Sequence, residues 1–153
     1  MKLEKIPFFP MRKALHMGFK YNVVVGVGGN EGNVKKRFVK LMRYLQHDRR
    51  LRVVESSLVF RNPPFGYLEQ NDFYNAVLVM QTSLGPKALL KILLHIEAIF
   101  GRVRLFQNGP RTLDLDIIFF SHKRINQKGL ILPHPKWFER LSVCVPLSML
   151  HNL

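Results

Sequence analysis

Residues 73–81 read FYNAVLVMQ, and apolar side chains occupy most of the positions. Side chains alternate between the two faces of a strand, so Phe73, Val77 and Val79 share one face and the even-numbered residues share the other. Apolar residues on both faces are typical of a strand that is buried on both sides of a sheet. Asn75 interrupts the apolar pattern and is the residue of this strand that most needs a polar partner.

Three further strands are predicted around this one. Residues 23–25 are consecutive valines that run into a glycine-rich tight turn over residues 26–32. Residues 53–60, VVESSLVF, form a strand that stops at the two prolines of residues 61–66, RNPPFG, because proline cannot continue a hydrogen-bonded ladder. Residues 112–120, TLDLDIIFF, form the last strand.

Two amphipathic helices connect these strands. The first has apolar residues at helical spacing, namely Val34, Phe38, Leu41 and Leu45. Asn30 or Asn33 would be its N-cap, and the second helix would begin near Pro86 and end at Gly101. The order β-α-β-β-α-β predicts a ferredoxin-like α+β fold with a mostly antiparallel sheet, both helices packed on one face, and a short C-terminal helix.

The composition indicates one globular domain. The chain has 153 residues, 47% of them hydrophobic, which is enough to build a core without disulfides. We expect the domain to span residues 21–153, after a basic N-terminal extension over residues 1–20. Cys144 is the only cysteine, which excludes an intramolecular disulfide and favours the cytoplasm. No apolar run approaches the roughly 18 residues of a membrane span.

The charge indicates a polyanionic ligand. Lys and Arg number 24 against 10 Asp and Glu, a formal net charge of +14. Nucleic acid, anionic lipid and a phosphate-rich small molecule all fit this charge, and the basic face of the first helix fits either solvent or nucleic acid. The turn over residues 26–32 is not a dinucleotide fingerprint, because Glu31 stands where a glycine is required, and no P-loop motif is present.

Asp114 and Asp116 are the most informative residues. Their i, i+2 spacing in a strand puts both carboxylates on one face about 7 Å apart, together with Thr112, Ile118 and Phe120. Acidic groups among apolar residues need a metal ion or a cationic partner. The pattern therefore predicts a Mg²⁺ site or, as the alternative, salt bridges to Arg111 or to a helix arginine. Arg102, Arg104 and Arg111 would suit the oxygens of a phosphorylated substrate.

Residues 109–117, GPRTLDLDI, resemble the signature of the 6-hydroxymethyl-7,8-dihydropterin pyrophosphokinase family of folate biosynthesis. The resemblance extends over about residues 21–150, in matching order, through Gly28-Gly29-Asn30, Asn62-Pro63-Pro64-Phe65-Gly66, Phe73-Tyr74-Asn75-Ala76, Glu97, Gly101-Arg102-Val103-Arg104, Pro133-His134 and Arg140. It implies a ferredoxin-like enzyme that transfers pyrophosphate from ATP to the hydroxymethyl group of the pterin and releases AMP.

The resemblance also implies roles for individual residues. Asp114 and Asp116 would hold two Mg²⁺ ions between ATP and the acceptor hydroxyl, and Arg102 and Arg111 would bind the phosphates as catalytic residues. The rest of the ATP site would comprise Glu97, Arg104, Ile117, Ile131, His134 and Arg140. The pterin slot would comprise Asn62, Pro63, Pro64, Phe65, Phe73 and Asn75, with Asn75 as hydrogen-bonding partner and Phe73 as stacking partner.

Four positions depart from the family pattern, namely Ser142, Asn108, Leu94, where the family has Gln, and Gly129, where it has a basic residue. Ser142 stands where the family has a second stacking aromatic residue, for which Trp137 or Phe138 would substitute, and Asn108 stands where the family often has tryptophan. We expect the loops over residues 61–72 and 102–110 to close over bound substrates.

The alternative function is a ferredoxin-like nucleic-acid-binding module without catalysis, which the net charge would suit. Against it, no aromatic-rich RNA-binding octapeptide is present, and the aspartates would repel phosphate without a metal ion. For the enzyme we expect ATP and the pterin as the only partners, no nucleic acid or membrane, and a monomer.

Overall fold

The computed structural model describes residues 1–64, 66–103 and 106–152. The strands are β1 (Lys2–Glu4), β2 (Met11–Arg12), β3 (Tyr21–Gly29), β4 (Leu51–Ser56), β5 (Val59–Asn62), β6 (Phe73–Thr82), β7 (Asp114–Phe120), β8 (Ile125–Gln127) and β9 (Leu130–Leu132). The helices are α1 (Val34–Gln46), α2 (Pro86–Ile99) and α3 (Leu141–Leu147), and a 3₁₀ turn covers Trp137–Glu139.

β6 is the central strand of the main sheet. It pairs with β3 on one side and with both β4 and β5 on the other, and β7 pairs with the far edge of β3. Every one of these pairings is antiparallel. This spatial order follows from the chain order β-α-β-β-α-β, so the predicted ferredoxin-like α+β class is confirmed.

The helices cover both faces of the sheet. α1 and α2 pack on the face that carries Val23, Val25 and Val27, which we call the helix side. α3 packs on the opposite face, the α3 side, which carries Val24, Val54, Val77, Val79 and Ile118. None of the helices within the described residues has the length and apolar character that crossing a membrane requires.

α1 forms where the apolar spacing predicts it. Phe38 and Leu41 are fully buried on the helix side. Of the two predicted N-cap residues, Asn33 is the cap: its Oδ1 accepts a hydrogen bond from the backbone N–H of Lys36 at 3.1 Å. Asn30 is instead buried beside the loop that precedes β7, where its backbone N–H donates to the carbonyl of Arg111 at 3.0 Å.

The predicted strand over residues 53–60 is two strands. Ser57 and Leu58 interrupt it between β4 and β5. Ser57 replaces the lost ladder bonds, because its N–H donates to the carbonyl of Val77 and its Oγ accepts from the N–H of Val77, both at 3.0 Å. Because Ser57 bonds both backbone groups of Val77, the strand breaks here without leaving those groups unsatisfied.

The alternation of β7 changes at a β-bulge. Val24 pairs with Phe119 and Val25 pairs with Ile117, which leaves Ile118 as an extra residue. Phe120 consequently packs into the helix-side core, and the prediction that it shares a face with the aspartates is wrong. Asp114, Asp116 and Ile118 precede the change and remain together on the α3 side.

The glycine-rich segment is mostly strand rather than a tight turn. Gly26, Gly28 and Gly29 lie within β3, and Gly32, with φ of +69°, makes the turn before α1. A Cβ at Gly29 would lie 2.6 Å from the carbonyl oxygen of Thr112, so only glycine allows the chain before β7 to approach this closely.

The first twenty residues contribute to the sheet. β1 pairs with the outer edge of β5, and β2 pairs with the outer edge of β4. Phe9, between them, is fully buried with its ring centroid 5.6 Å from that of Phe38.

We expect Gly29→Ala to lower the free energy of unfolding by about 1–3 kcal/mol, because the added methyl group forces two backbone segments apart. Urea denaturation measures the change. Gly85→Ser is the matched control, since no atom lies within 4 Å of a Cβ at Gly85 and serine is a good N-cap for α2. Equal stability of Gly29→Ala and the unsubstituted protein would contradict the packing argument.

Candidate active site

A cavity of about 440 Å³ lies on the α3 side of the sheet. Its floor is β3, where Gly26 and Gly28 carry no side chain to fill it. Ten of the residues predicted for the site line it, namely Asn62, Pro63, Pro64, Phe73, Asn75, Arg111, Asp114, Asp116, His134 and Arg140. Residues that lie up to 78 positions apart in the sequence are therefore in one cavity.

Asp114 is held by two arginines. Its Oδ1 accepts a hydrogen bond from Arg102 Nη1 at 2.6 Å, and its Oδ2 accepts one from Arg111 Nη1 at 3.0 Å. Burial by itself would raise the pKa of Asp114, but the two guanidinium groups outweigh it and lower the pKa below the ordinary value. Asp114 is therefore ionised, and the salt bridge to Arg111 that the sequence left open is present.

Asp116 has no such partner. Within the described part of the chain its carboxylate makes no hydrogen bond and no ion pair. Burial raises its pKa to about 7, and the negative charges of Asp114 and Glu97 contribute in the same direction. A carboxyl group that burial and its neighbours disfavour as an anion would be stabilised by a cation bound beside it.

Glu97 lies beneath the cavity rather than in its lining. It is buried on α2, and its Oε2 accepts hydrogen bonds from the backbone N–H of Leu115 at 2.7 Å and from Arg102 Nη1 at 3.3 Å. Arg102 is thus fixed between Glu97 and Asp114, with its Nη1 also 3.3 Å from the carbonyl of Leu113. Glu97 orients Arg102 toward β7.

The two aspartates fit a hard divalent cation. Mg²⁺ in proteins is commonly held by one or two carboxylates together with substrate phosphates. The described residues contain no group of three or more His, Cys, Asp or Glu that could hold a metal. Asp114 and Asp116, together with phosphate oxygens, are the ligands that this site could offer to Mg²⁺.

The other end of the cavity carries amides, prolines and an aromatic ring. Asn75 Nδ2 donates to Asn62 Oδ1 at 2.6 Å. Asn62 is therefore the polar partner that Asn75, in an otherwise apolar strand, is expected to need. The guanidinium of Arg111 lies 5.2 Å from the centre of the Phe73 ring, at the boundary between this end and the carboxylates. A Cβ at Gly28 would lie 2.7 Å from Asn75 Oδ1, so this glycine leaves room for the amide.

His134 and Arg140 close the side of the cavity near α3. The backbone N–H of His134 donates to the carbonyl of Ile118 at 2.9 Å, which fixes the loop after β9 against β7. Burial lowers the pKa of His134, and the positive charge of Arg140 lowers it further. At neutral pH the imidazole is therefore uncharged and can donate one hydrogen bond to a ligand.

Other predicted site residues lie elsewhere. The side chain of Ile117 is buried in the helix-side core, and Ile131 is half exposed on β9 away from the cavity lining. Phe65 and Arg104 fall outside the described residues. Trp137 packs on Phe119, with ring centroids 5.1 Å apart.

Neither Trp137 nor Phe138 is among the residues that line the described cavity, whereas Ser142 and Asn108 are. The second aromatic face expected for the pterin is therefore not supplied by either of these side chains in this structure.

Sequence reasoning missed two contributors. Asn30, for which only a helix-capping role is predicted, joins three segments through bonds to Arg111, Gln70 and Asn71. Met1 also lines the cavity, although the first twenty residues were set apart as an extension. The Gly28-Gly29-Asn30 motif was a usable signal for Asn30, whereas no pattern in the sequence indicates the position of Met1.

Comparison with known proteins gives consistent matches. Residues 24–152 match the family model described as 7,8-dihydro-6-hydroxymethylpterin-pyrophosphokinase (HPPK). The chain is 44% identical to the 2-amino-4-hydroxy-6-hydroxymethyldihydropteridine pyrophosphokinase of Campylobacter jejuni, over 96% of this chain and 94% of the relative. It is 41% identical to the enzyme of that name from Helicobacter pylori, over 93% and 88%, and 36% identical to that from Bacillus subtilis, over 81% and 74%.

We expect Asp116→Asn to stabilise the metal-free protein in a pH-dependent way. The pKa of Asp116 is 3.8 in the unfolded chain and about 7 in the folded protein. Its ionisation therefore lowers the free energy of unfolding by nothing well below pH 4, by an increasing amount between pH 4 and 7, and by a constant amount above pH 7. Asparagine does not ionise, so the increase in the free energy of unfolding caused by the substitution should rise from near zero to on the order of 2 kcal/mol above pH 7. Urea denaturation with EDTA at pH 4 to 8.5 measures it. A gain that does not vary with pH would contradict the assignment.

Proposed function

The chain belongs to the 7,8-dihydro-6-hydroxymethylpterin pyrophosphokinase family, and from this premise we propose which of its residues carry out the reaction and how. The protein is an ATP-dependent diphosphotransferase of folate synthesis, which transfers pyrophosphate from ATP to 6-hydroxymethyl-7,8-dihydropterin and releases AMP. ATP is its co-substrate. The alternative of a nucleic-acid-binding module is not favoured, because the matches to this enzyme cover almost the whole chain.

The observation that carries the residue assignment is a row of paired positions across the sheet. Gly28 of β3 pairs with Asn75 of β6 on one side and with Asp114 of β7 on the other. Two strand spacings separate Asn75 from Asp114, roughly 9.5 Å. The amide end of the cavity, at Asn75, and the carboxylate end, at Asp114, are thus far enough apart for a pterin ring and a triphosphate to meet between them, above Gly28.

Asp114 and Asp116 are proposed to hold two Mg²⁺ ions together with oxygens of the triphosphate. When bound, Mg²⁺ would neutralise phosphate charge and lower the pKa of the acceptor hydroxyl. The half-buried Asp116 supports this assignment, because burial and the charges of Asp114 and Glu97 disfavour its anionic form, which a bound cation would favour. Asp114 contributes an ionised carboxylate at the same strand face.

Arg102 and Arg111 are proposed to bind the phosphates. Both guanidinium groups donate to Asp114, Arg111 from the cavity lining and Arg102 from a buried position outside that lining. Phosphate oxygens would take over these donors when ATP binds, so that each buried charge keeps an opposite partner. Neutral His134 and cationic Arg140 line the same part of the cavity and would donate to the remaining oxygens. Arg104, Ile117, Ile131 and Glu97 remain predictions for the ATP side.

In the proposed reaction the hydroxymethyl oxygen of the pterin attacks the β-phosphorus of ATP in line. The bond between the β-phosphorus and the oxygen that bridges it to the α-phosphorus breaks, and AMP leaves with that oxygen. The hydroxyl proton passes to Asp116 or to water. Arg111, at the boundary between the two ends, is positioned to stabilise the charge that develops on the transferred group.

The pterin is proposed to bind at the end formed by Asn62, Pro63, Pro64, Phe73 and Asn75, with Phe65 next along the same loop. The amide of Asn75 would pair with the polar edge of the ring, and Phe73 would stack on one of its faces. Ser142 occupies the cavity lining where a second aromatic would lie, so aromatic stacking would come mainly from one side.

The first experiment incubates the protein with Mg²⁺, ATP and 6-hydroxymethyl-7,8-dihydropterin and identifies the released nucleotide. AMP is expected, whereas ADP would indicate transfer of a single phosphoryl group. Asp114→Ala and Asp116→Ala should each lower kcat by about 10²- to 10³-fold or more, because each removes charge stabilisation from the reacting phosphates. The control is Asp48→Asn, a partly buried aspartate outside the cavity lining that bonds Arg50 at 2.7 Å. Near-normal kcat in either alanine variant would refute the metal assignment.

We expect Asn75→Ala to raise KM for the pterin by roughly tenfold, the effect of one lost hydrogen bond to a buried polar edge. KM for ATP should change by less than about twofold, since Asn75 lies at the other end of the cavity. Steady-state kinetics with each substrate varied in turn measures both constants. Asn126→Ala, on exposed β8, is the control. A larger effect on ATP than on the pterin would reverse the assignment of the two ends.

A further inference from the structure

Met1 lies in the lining of the substrate cavity, together with Asn62, Phe73 and Asn75. The residues that bring it there precede the part of the chain that matches the family, which begins at residue 24. We propose that residues 1–12, here called the N-terminal arm, form one wall of the pterin-binding end, with the Met1 thioether in contact with the bound ring. The proposal rests on the assignment of the pterin to this end of the cavity.

The register of β1 supports this role. Lys2 pairs with Arg61 and Leu3 pairs with Phe60, so the next position along the ladder sets Met1 opposite Asn62. Asn62 is the residue whose amide oxygen accepts from Asn75. Because side chains alternate along a strand, Met1 and Leu3 share a face, and this is the face of β5 that carries Phe60 and Asn62.

The opposite face of β1 is anchored on the helix side. Glu4 Oε1 accepts a hydrogen bond from Lys35 Nζ of α1 at 2.7 Å. A salt bridge from Glu4 to α1 requires the even-numbered side chains of β1 to point away from the cavity. The same alternation therefore directs the odd-numbered side chains of Met1 and Leu3 toward the α3 side.

The rest of the arm is fixed to the domain. Phe9 is fully buried against Phe38, and the Ser56 hydroxyl donates to the carbonyl of Phe8. The backbone N–H of Lys13 donates to the carbonyl of Val54 at 2.7 Å, just beyond β2. A segment with a buried aromatic anchor and two strand pairings holds its first residue at a defined place on the sheet edge.

The chemistry of Met1 suits a pterin ring. The residue is 80% exposed, so its apolar surface is available to a ligand. A thioether is flexible and polarisable and makes favourable contacts with aromatic rings, often at the ring edge. Phe73 is the only aromatic residue among the described residues of the lining, and a methionine at the cavity rim would add apolar contact for the ring.

The test compares Met1→Ala and Met1→Leu, each released from an N-terminal fusion by a protease that leaves residue 1 free, with the unsubstituted chain made in the same way. Met1→Ala should raise KM for the pterin by roughly two- to tenfold, the range expected for one sulfur–aromatic contact. KM for ATP and kcat should change by less than about twofold, and Met1→Leu should restore most of the pterin affinity because it keeps the apolar bulk. Lys2→Ala, on the opposite face of β1, is the matched control.

A variant that lacks residues 1–4 provides a second measurement, with its thermal unfolding compared to that of the full chain. It should lose pterin affinity by at least as much as Met1→Ala and keep the KM for ATP. Unchanged pterin KM in both variants would overturn the role of the arm. Equal losses for both substrates would overturn it as well, because they indicate general disruption. An unchanged pterin KM in Asn75→Ala would instead count against the assignment of the pterin to this end, on which the arm's role rests.

Discussion

The burial of two carboxylates on one face of β7 is the constraint to which the rest of the site responds. An anion in a poorly solvated place must be paired, and Asp114 is paired twice, through both of its oxygens. Arg102 reaches Asp114 because Glu97 of α2 binds the same guanidinium group. Glu97, Arg102 and Asp114 therefore form a row of alternating charges between α2 and β7. Asp116, next on the same face, is left outside this row of charges, and its burial together with the charges of Asp114 and Glu97 raises its pKa.

Asn30 connects this electrostatic cluster to the pterin end. Its backbone N–H and side-chain Oδ1 bond the backbone of Arg111, and its Nδ2 donates to Gln70 and to the carbonyl of Asn71. Gln70 in turn donates to the carbonyl of Asn108 at 2.8 Å. A single buried amide at the end of β3 thus ties together the loops on both sides of the cavity. Those loops are the segments expected to close over substrates, and in this structure they are already joined by hydrogen bonds.

Much of the fold and part of the site follow from local patterns. Helical spacing predicted the buried face of α1, and the i, i+2 spacing predicted that Asp114 and Asp116 share a face. The bulge at Ile118 was not predictable, because it depends on how β7 meets Val24 and Val25 of another strand. The arm was not predictable for the same reason: two or three residues carry no recognisable strand pattern, and only the free edges of β4 and β5 make them strands. The residue pattern within one segment shows whether it is periodic as a helix or a strand. The register of a strand and its pairing at a sheet edge depend on contacts with other segments.

The charges of the cavity explain why Arg102 and Arg111 pair with Asp114 in this structure. If Arg102 and Arg111 lay in this pocket without Asp114, two desolvated cations would face each other, and if Asp114 lay there without them, it would have a raised pKa like that of Asp116. Mutual pairing keeps both kinds of group ionised and in place. A triphosphate with its cations would offer the same two charges in a new arrangement, with phosphate as the proposed partner of the arginines and metal as that of the aspartates. In the proposed assignment these salt bridges already hold the groups that would bind ATP, and an exchange of partners would let ATP bind without an unpaired charge being buried.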